Sequence, residues 1–417
     1  MLVNFIGTMG YSIVLPFLVI LVIKFGGNEL IYGFLGATYS FFQLIGAPIL
    51  GTWSDRFGRR KILLVSQVGT FVAWLIFLVA LLVPETKILN FSAFLLTLPL
   101  GLLFIARALD GLTGGNVSVA NAYMADISND SNRKQNFGSM AASANLGFII
   151  GPALAGLLGA TYFEEVLPIL AAMAISIMAI FVIAFRLEES KPCLLDAPQD
   201  TNRTRKIFGQ EHKECHDLAG ATNYGLSDLI KVKYVPLMLL LYFSIFLAFN
   251  FFYVAFPIHA IQGMQWSVLK LGIFFSILSG VMVLVQGPIL TRLHNRVTET
   301  TLCLWGSVFL IISFCLFTLS QQSYMFAGAL FFSIGNGVMW PSFLSILSRV
   351  GGSKFQGALQ GYASSTGSLA SIIGLILGGV IYSNIGVTIF YISAGLMLMI
   401  FIVSFQLIPI EKEETLA

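Results

Sequence analysis

The sequence predicts an all-α integral membrane protein with twelve transmembrane helices in two pseudo-symmetric six-helix bundles. Three observations predict it. Of 417 residues, 57% are hydrophobic and 10% charged, and the mean hydropathy is +0.87. The apolar residues gather into runs of about 20, the length at which a helix crosses the hydrocarbon. The two halves of the chain also resemble each other. A β-barrel would instead show alternating segments of about ten residues, and none is present.

Twelve runs follow in order: 2–24, 30–54, 61–83, 97–125, 136–160, 165–186, 234–258, 268–291, 299–319, 324–348, 355–383 and 386–409. Backbone groups in hydrocarbon must be satisfied inside their own segment, so each run is expected as helix. The first is too long and uninterrupted for a cleaved signal peptide. The long polar stretch 187–233 divides the chain into a first bundle (1–186), a cytoplasmic linker (187–233) and a second bundle (234–417).

The repeat is read from four ordered matches. Gly46-Ala47-Pro48-Ile49-Leu50 and Asp55-Arg56 align at an offset of 240 with Gln286-Gly287-Pro288-Ile289-Leu290 and Asn295-Arg296. Gly115-Asn116 matches Gly335-Asn336, with Ser128 falling on Ser348. Ile149-Ile150-Gly151 matches Ile372-Ile373-Gly374, and Pro16 matches Pro257. Repeated halves suggest two bundles around a midplane site, each rocking against the other.

Charge placement sets the orientation. Of 23 Lys and Arg, all but Lys24, Lys87, Lys270 and Arg107 fall in segments on one side of the runs. The positive-inside rule then places both termini in the cytoplasm. A net charge of +3, explained by that asymmetry, implies no nucleic-acid partner. The four cysteines, Cys193, Cys215, Cys303 and Cys315, form no disulfide framework. His212, Glu214, Cys215 and His216 bring ligand types together, but as a solvated linker rather than the four spaced ligands of structural zinc. No metal, cofactor or enzymatic constellation is expected: there is no nucleophile–base pair and no phosphate loop.

Nearly every ionisable side chain falls in a loop except Arg107 and Asp110, in Leu98-Pro99-Leu100-Gly101-Leu102-Leu103-Phe104-Ile105-Ala106-Arg107-Ala108-Leu109-Asp110. A charge at the centre of a membrane helix costs roughly 2.5–3.5 kcal/mol on insertion scales, so such residues face protein or a watery cavity. Three residues apart on a helix, the two share a face and can neutralise each other. They are read as the proton-coupling pair of a solute pathway, with a static ion pair as the competing reading. An adjacent cation and desolvation act in opposite directions on a carboxyl group, so alternating exposure could switch its proton affinity.

Between the second and third runs lies Gly51-Thr52-Trp53-Ser54-Asp55-Arg56-Phe57-Gly58-Arg59-Arg60. Its glycines permit a tight turn, and its charges can bond across a helix seam. This loop is similar to the signature loop of the major facilitator superfamily, and the chain resembles the drug:proton antiporters of that superfamily, the tetracycline-efflux group in particular. The resemblance covers all twelve runs and is densest over 1–160. It implies that Gly51, Asp55, Arg56, Gly58, Arg59 and Arg60 form a gating charge latch with Asp126 as partner; helix capping or plain solvation is the alternative for Asp126. Arg107 to Gly115 is similar to the family's fourth-helix motif, whose Arg is implicated in proton transfer. Gly147, Gly151, Pro152 and Gly156 resemble the antiporter motif of the fifth helix, where small residues four apart also allow close crossing.

One position departs from the group. The resemblance implies an acid in the first helix, usual in that group, at the position where this chain has Gly7. Proton coupling then rests on Asp110 alone, or import or facilitated diffusion of a metabolite replaces it. A non-transporting protein on the same fold is disfavoured because the latch loop is retained.

In the superfamily the first, fourth, seventh and tenth helices line the cavity, which marks Ser118 and Asn121, Phe246, Asn250 and Tyr253, and Asn336 and Trp340 as substrate-cavity candidates. Gln43, Gln360 and Ser364 join them as a lower cavity or gate. Hydrogen bonding between helices is the competing reading for each polar member. The expected protein is a monomer in a bacterial inner membrane. It exports a small amphipathic or zwitterionic solute against protons and meets no partner besides solute, protons and the lipid bilayer.

Overall fold

The computed structural model describes residues 2–90, 95–114, 116–127, 133–190, 229–294, 296–319, 321–350 and 352–408. His212, Cys193, Cys215 and His216, and nearly all of the expected linker, lie outside them. Helices dominate: α1 (Leu2–Lys24), α2 (Glu29–Phe57), α3 (Arg59–Leu82), α4 (Leu98–Thr113), α5 (Asn116–Ile127), α6 (Arg133–Gly159) and α7 (Val166–Phe185), then α8 (Val235–Ile258), α9 (Val268–Leu284), α10 (Leu290–His294), α11 (Glu299–Phe317), α12 (Gln322–Val350), α13 (Gly352–Ile385) and α14 (Ile389–Ser404). Among the described residues ten stretches are long and apolar enough to cross a membrane, where twelve runs were expected.

Three local features depart from uninterrupted spans. The run expected over 97–125 is two helices: α4 ends at Thr113, the Gly114 N–H bonds the Gly111 carbonyl, and α5 begins at Asn116. Glycine at 114 carries the largest backbone-entropy penalty of any residue in a helix. Before α4, β1 (Lys87–Asn90) pairs antiparallel with β2 (Leu95–Thr97). The third departure is a pair of π-turns, His259–Gly263 after Pro257 and Val285–Ile289 around Pro288. Proline lacks the N–H that the regular ladder needs, and the ladder widens there.

Packing groups the chain into two units, residues 1–17 with 38–222 and residues 18–37 with 223–417. Residues 18–37 therefore pack with the second unit although they precede the first linker. Glycines make this possible: a Cβ at Gly379 would lie 2.7 Å from the Glu29 carbonyl oxygen, and one at Gly33 would strike the Leu375 carbonyl. The second unit's core is phenylalanine-rich. Phe252 stacks on Phe332 with centroids 4.7 Å apart, and Phe256 on Phe274 at 4.1 Å, all four fully buried. These rings pack against one another, consistent with a packing role and not a solute-stacking box.

In the first unit, α3 lies against α4, α5 and α7. Its Trp74 ring sits 6.2 Å from Phe17 and 5.3 Å from Phe77. Gly147 and Gly151 let α6 cross α1: a Cβ at Gly147 would lie 2.8 Å from the Met9 nitrogen, and one at Gly151 would collide with the Ser12 hydroxyl. Ser12 Oγ donates to the Gly147 carbonyl at 2.9 Å across that crossing.

Gly46 meets the Leu112 backbone with no room for a Cβ. Gly46→Ala is therefore expected to lower stability by about 1–3 kcal/mol, because a backbone obstacle cannot rotate aside. A lowered thermal midpoint of the purified chain checks this, and an unchanged midpoint would show that α4 yields.

Candidate functional site

A cavity of about 480 Å³ lies within the first unit, inside the range of roughly 300–1,000 Å³ typical of small-molecule sites. Six helices supply its walls. Asp110 enters from α4, and Gly114 just beyond that helix also lines it. From α2 come Tyr39 and Gln43, and from α3 Gln67, Thr70 and Trp74. Asn4, Gly7 and Thr8 of α1, Phe148 of α6 and Ser176 of α7 face it as well.

Arg107 and Asp110 do form a pair. Arg107 Nη1 is 3.5 Å from Asp110 Oδ2, with side-chain exposures of 5% and 14%. The second carboxylate oxygen, Oδ1, accepts from Thr70 Oγ1 at 3.3 Å. The guanidinium carbon sits 4.3 Å from the centre of the Tyr39 ring, a cation–π contact that compensates charge without a hydrogen bond. Arg107 Nε and Nη1 find no hydrogen-bond acceptor among the described residues. The carboxylate thus borders the cavity while its cation is not among the cavity's lining residues.

Gln43 joins Asp110 on that wall, its Nε2 donating to Tyr39 Oη at 3.2 Å and to the Gly114 carbonyl at 3.5 Å. Ser118 and Asn121 belong to α5, but their side chains lie outside the described residues. The remaining cavity candidates are in the second unit and do not line this cavity. Asn250 Nδ2 donates to the Phe246 carbonyl at 2.7 Å and to Ser371 Oγ at 3.0 Å, joining α8 to α13. Phe246 lies parallel to Tyr242 at 4.9 Å and edge-on to Trp340 at 5.4 Å. Tyr253 touches the Phe252 ring, and Asn336 Nδ2 points at Met282 Sδ. Gln360 is half-buried and Ser364 exposed.

For Asn250 this geometry favours the joining role. Asn250→Leu is expected to lower stability by about 0.6–2 kcal/mol, the range for hydrogen bonds between membrane helices, and to leave transport turnover within about twofold. A large turnover loss without a thermal shift would restore the cavity role.

The loop between α2 and α3 is organised around buried charge. Arg59 Nε bonds Asp126 Oδ2 at 3.0 Å, and Arg59 Nη1 donates to Ser54 Oγ at 2.6 Å. Gly58 has φ +99°, the region in which glycine is at ease. Its missing side chain leaves room for Glu189, which accepts from the Arg59 and Arg60 backbone N–H groups at 2.7 and 3.2 Å. Ser190 Oγ donates to Asp126 at 3.0 Å, and Arg60 reaches the Ile183 and Ala184 carbonyls at the end of α7. Gly51 accepts from Ser54 Oγ, while the Asp55 and Arg56 side chains lie outside the described residues.

The Major Facilitator Superfamily description matches residues 1–319 and 300–416. The chain belongs to the Major Facilitator Superfamily. It is a membrane transporter of that superfamily and not an enzyme. The class B tetracycline resistance protein of Escherichia coli is 27% identical over 387 residues, covering 92% of this chain and 88% of that protein. The human Major facilitator superfamily domain-containing protein 10 is 24% identical over 365 residues, covering 85% and 74%. Among solved structures, a D-xylose-proton symporter superposes with TM-score 0.75 at 14% identity, covering 97% of this chain and 96% of that one. The human organic anion transporter MFSD10 does so with TM-score 0.67 at 19% identity, covering 97% of each. Such similarity shows the superfamily fold.

Sequence reasoning about this superfamily chain missed the α3 wall. Gln67, Thr70 and Trp74 are spaced i, i+3 and i+7 in α3, the stripe that marks one face. That stripe was readable, but the superfamily's usual lining helices drew attention elsewhere. Glu189 left no such signal, since it reads as the start of a polar linker.

Proposed function

We propose that this transporter exports a small amphipathic or zwitterionic organic solute in exchange for protons, with Asp110 carrying the proton and Arg107 tuning it. The observation that carries this reading is the Asp110 carboxylate on the wall of the cavity within the first unit. The 27% identity to a tetracycline resistance protein supports drug efflux as the direction. Arg59 and Asp126, with Gly51, Asp55, Arg56, Gly58 and Arg60 around them, serve as the charge latch of an alternating-access cycle. Twelve crossings, two six-helix bundles, cytoplasmic termini, a monomer and a bacterial inner membrane complete the reading.

A second reading, uncoupled import or diffusion of a metabolite, is favoured by Gly7. It lines the same cavity where the antiporter group has an acid. Purified protein in proteoliposomes with an imposed pH gradient separates the two. Solute-driven proton movement, screened over drugs including tetracycline and over metabolites, supports antiport; solute flux with no proton movement supports the alternative.

A further inference from the structure

The second unit holds a buried titratable ring outside the site described above. His259 is the first residue of the π-turn that follows Pro257, and it is 6% exposed. Its Nδ1 lies 3.4 Å from Tyr382 Oη on α13, while its Nε2 is buried with no hydrogen-bond partner among the described residues. Gly263 makes room for the ring, since a Cβ there would lie 2.6 Å from Nδ1. The contact closes one end of a seam. α8 packs along α13, with Gly374 against Asn250 and Gly378 against Phe251 and Val254, and His259 meets Tyr382 at the end remote from the linker.

We propose that His259 is a second proton-binding site, separate from Asp110, and that its occupancy opens this end of the α8–α13 seam. A neutral imidazole has one N–H and one bare nitrogen, so Tyr382 satisfies Nδ1 in either tautomer and Nε2 is left over. Protonation puts an N–H on both nitrogens. Tyr382 Oη can accept from one of them. The other has no acceptor, so the charged ring must draw water into the seam or leave it. A ring flanked by acceptors on both sides would take the proton and stay in place; this one cannot. From α2, Glu29 supplies a counter-charge: its carbonyl lies against Gly379, one turn before Tyr382, and its carboxylate acts electrostatically on the Tyr382 phenol. From α9 the charged group is Lys270, which is engaged elsewhere. Its Nζ donates to Gln322 Oε1 at 2.8 Å and lies 4.6 Å from the centre of the Trp266 ring.

The full chain in lipid nanodiscs, with its histidine rings labelled with carbon-13, tests the site by NMR and amide exchange. Four rings give four signals, from His212, His216, His259 and His294, and the one missing in His259→Gln belongs to His259. That ring is expected to titrate between about pH 5 and 8, the range in which histidine changes charge. Amide exchange over residues 259–264 and 379–385, corrected for its intrinsic pH dependence, is expected to be roughly tenfold faster on the acid side of the titration, the mark of local opening. His259→Gln keeps a side chain that can hydrogen-bond but cannot charge, and should hold the slow rate throughout. Tyr382→Phe should shift the same ring signal and leave the other three in place, which assigns it without relying on the first variant. A His259 ring that keeps one protonation state across the range overturns the proposal. So does a pH response of exchange that survives His259→Gln, or four ring signals that all ignore Tyr382→Phe. Neither measurement uses a solute or a gradient, so the outcome stands apart from whether Asp110 couples efflux to protons.

Discussion

Asp110→Asn is expected to abolish solute-driven proton movement while the amide keeps the shape of the cavity wall. Two effects have to be separated. Removing the carboxylate leaves the Arg107 guanidinium buried, with only the Tyr39 ring as described compensation. Breaking a buried pair from one side costs roughly 3–5 kcal/mol, so the single variant is expected to be markedly less stable. The double variant Arg107→Gln with Asp110→Asn removes both charges and is expected to recover most of that stability, because neutral replacements leave no bare charge. It should still move no protons. Coupling that returns in the double variant would assign Asp110 to structure alone. The check is thermal unfolding beside fluorescence of a trapped pH dye in proteoliposomes.

Disrupting the Arg59–Asp126 pair is the second large effect. Both side chains are about nine-tenths buried, with exposures of 10% and 9%. Arg59→Leu strips Asp126 of its cation and Ser54 of its donor, for an expected loss of roughly 3 kcal/mol. The second unit suggests how to rescue it. Glu299, the first residue of α11, lies 240 residues after Arg59, the first of α3, the offset that aligns Pro48 with Pro288. Glu299 and Arg349 form an ion pair, with Ser345 donating to the same carboxylate. At the position equivalent to Arg59 the second unit thus holds an acid paired with a cation, the reverse of the first unit's charges. The swap Arg59→Glu with Asp126→Arg should regain at least half of the stability lost by either single change. It should not regain full turnover, because Glu189 would then face a carboxylate at the start of α3. Full turnover in the swap would show that only net neutrality matters at this loop.

Much of the fold was legible because the bilayer leaves few options. Apolar runs of spanning length have to be helices, and every described run is helical where it was expected. The exceptions have local causes: α4 ends at the Gly114 cap within 97–125, and prolines widen the turns at 257 and 288. Arg107 and Asp110 were legible for the same reason, since charge inside a span has to be compensated, and the partner three residues away is the one it meets. The walls of the cavity were less legible. Neutral polar residues such as Gln67 and Ser176 carry no insertion penalty large enough to advertise them. Asn250, equivalent by type, bonds Ser371 of a neighbouring helix. Sequence reveals that a polar group is in a span, while only packing reveals what it faces.

The central claim is that the Asp110 carboxylate is reached from a watery cavity inside the protein, and carboxyl modification tests it most directly. The purified chain in lipid nanodiscs is treated with a water-soluble carbodiimide and an amine, and modified carboxylates are mapped by mass spectrometry. The account predicts modification at Asp110, with Gly7→Leu or Gly114→Leu slowing it by filling the approach. Asp110 left intact by the water-soluble reagent, yet modified by lipid-soluble dicyclohexylcarbodiimide, would place it against lipid or in a sealed contact and contradict the account.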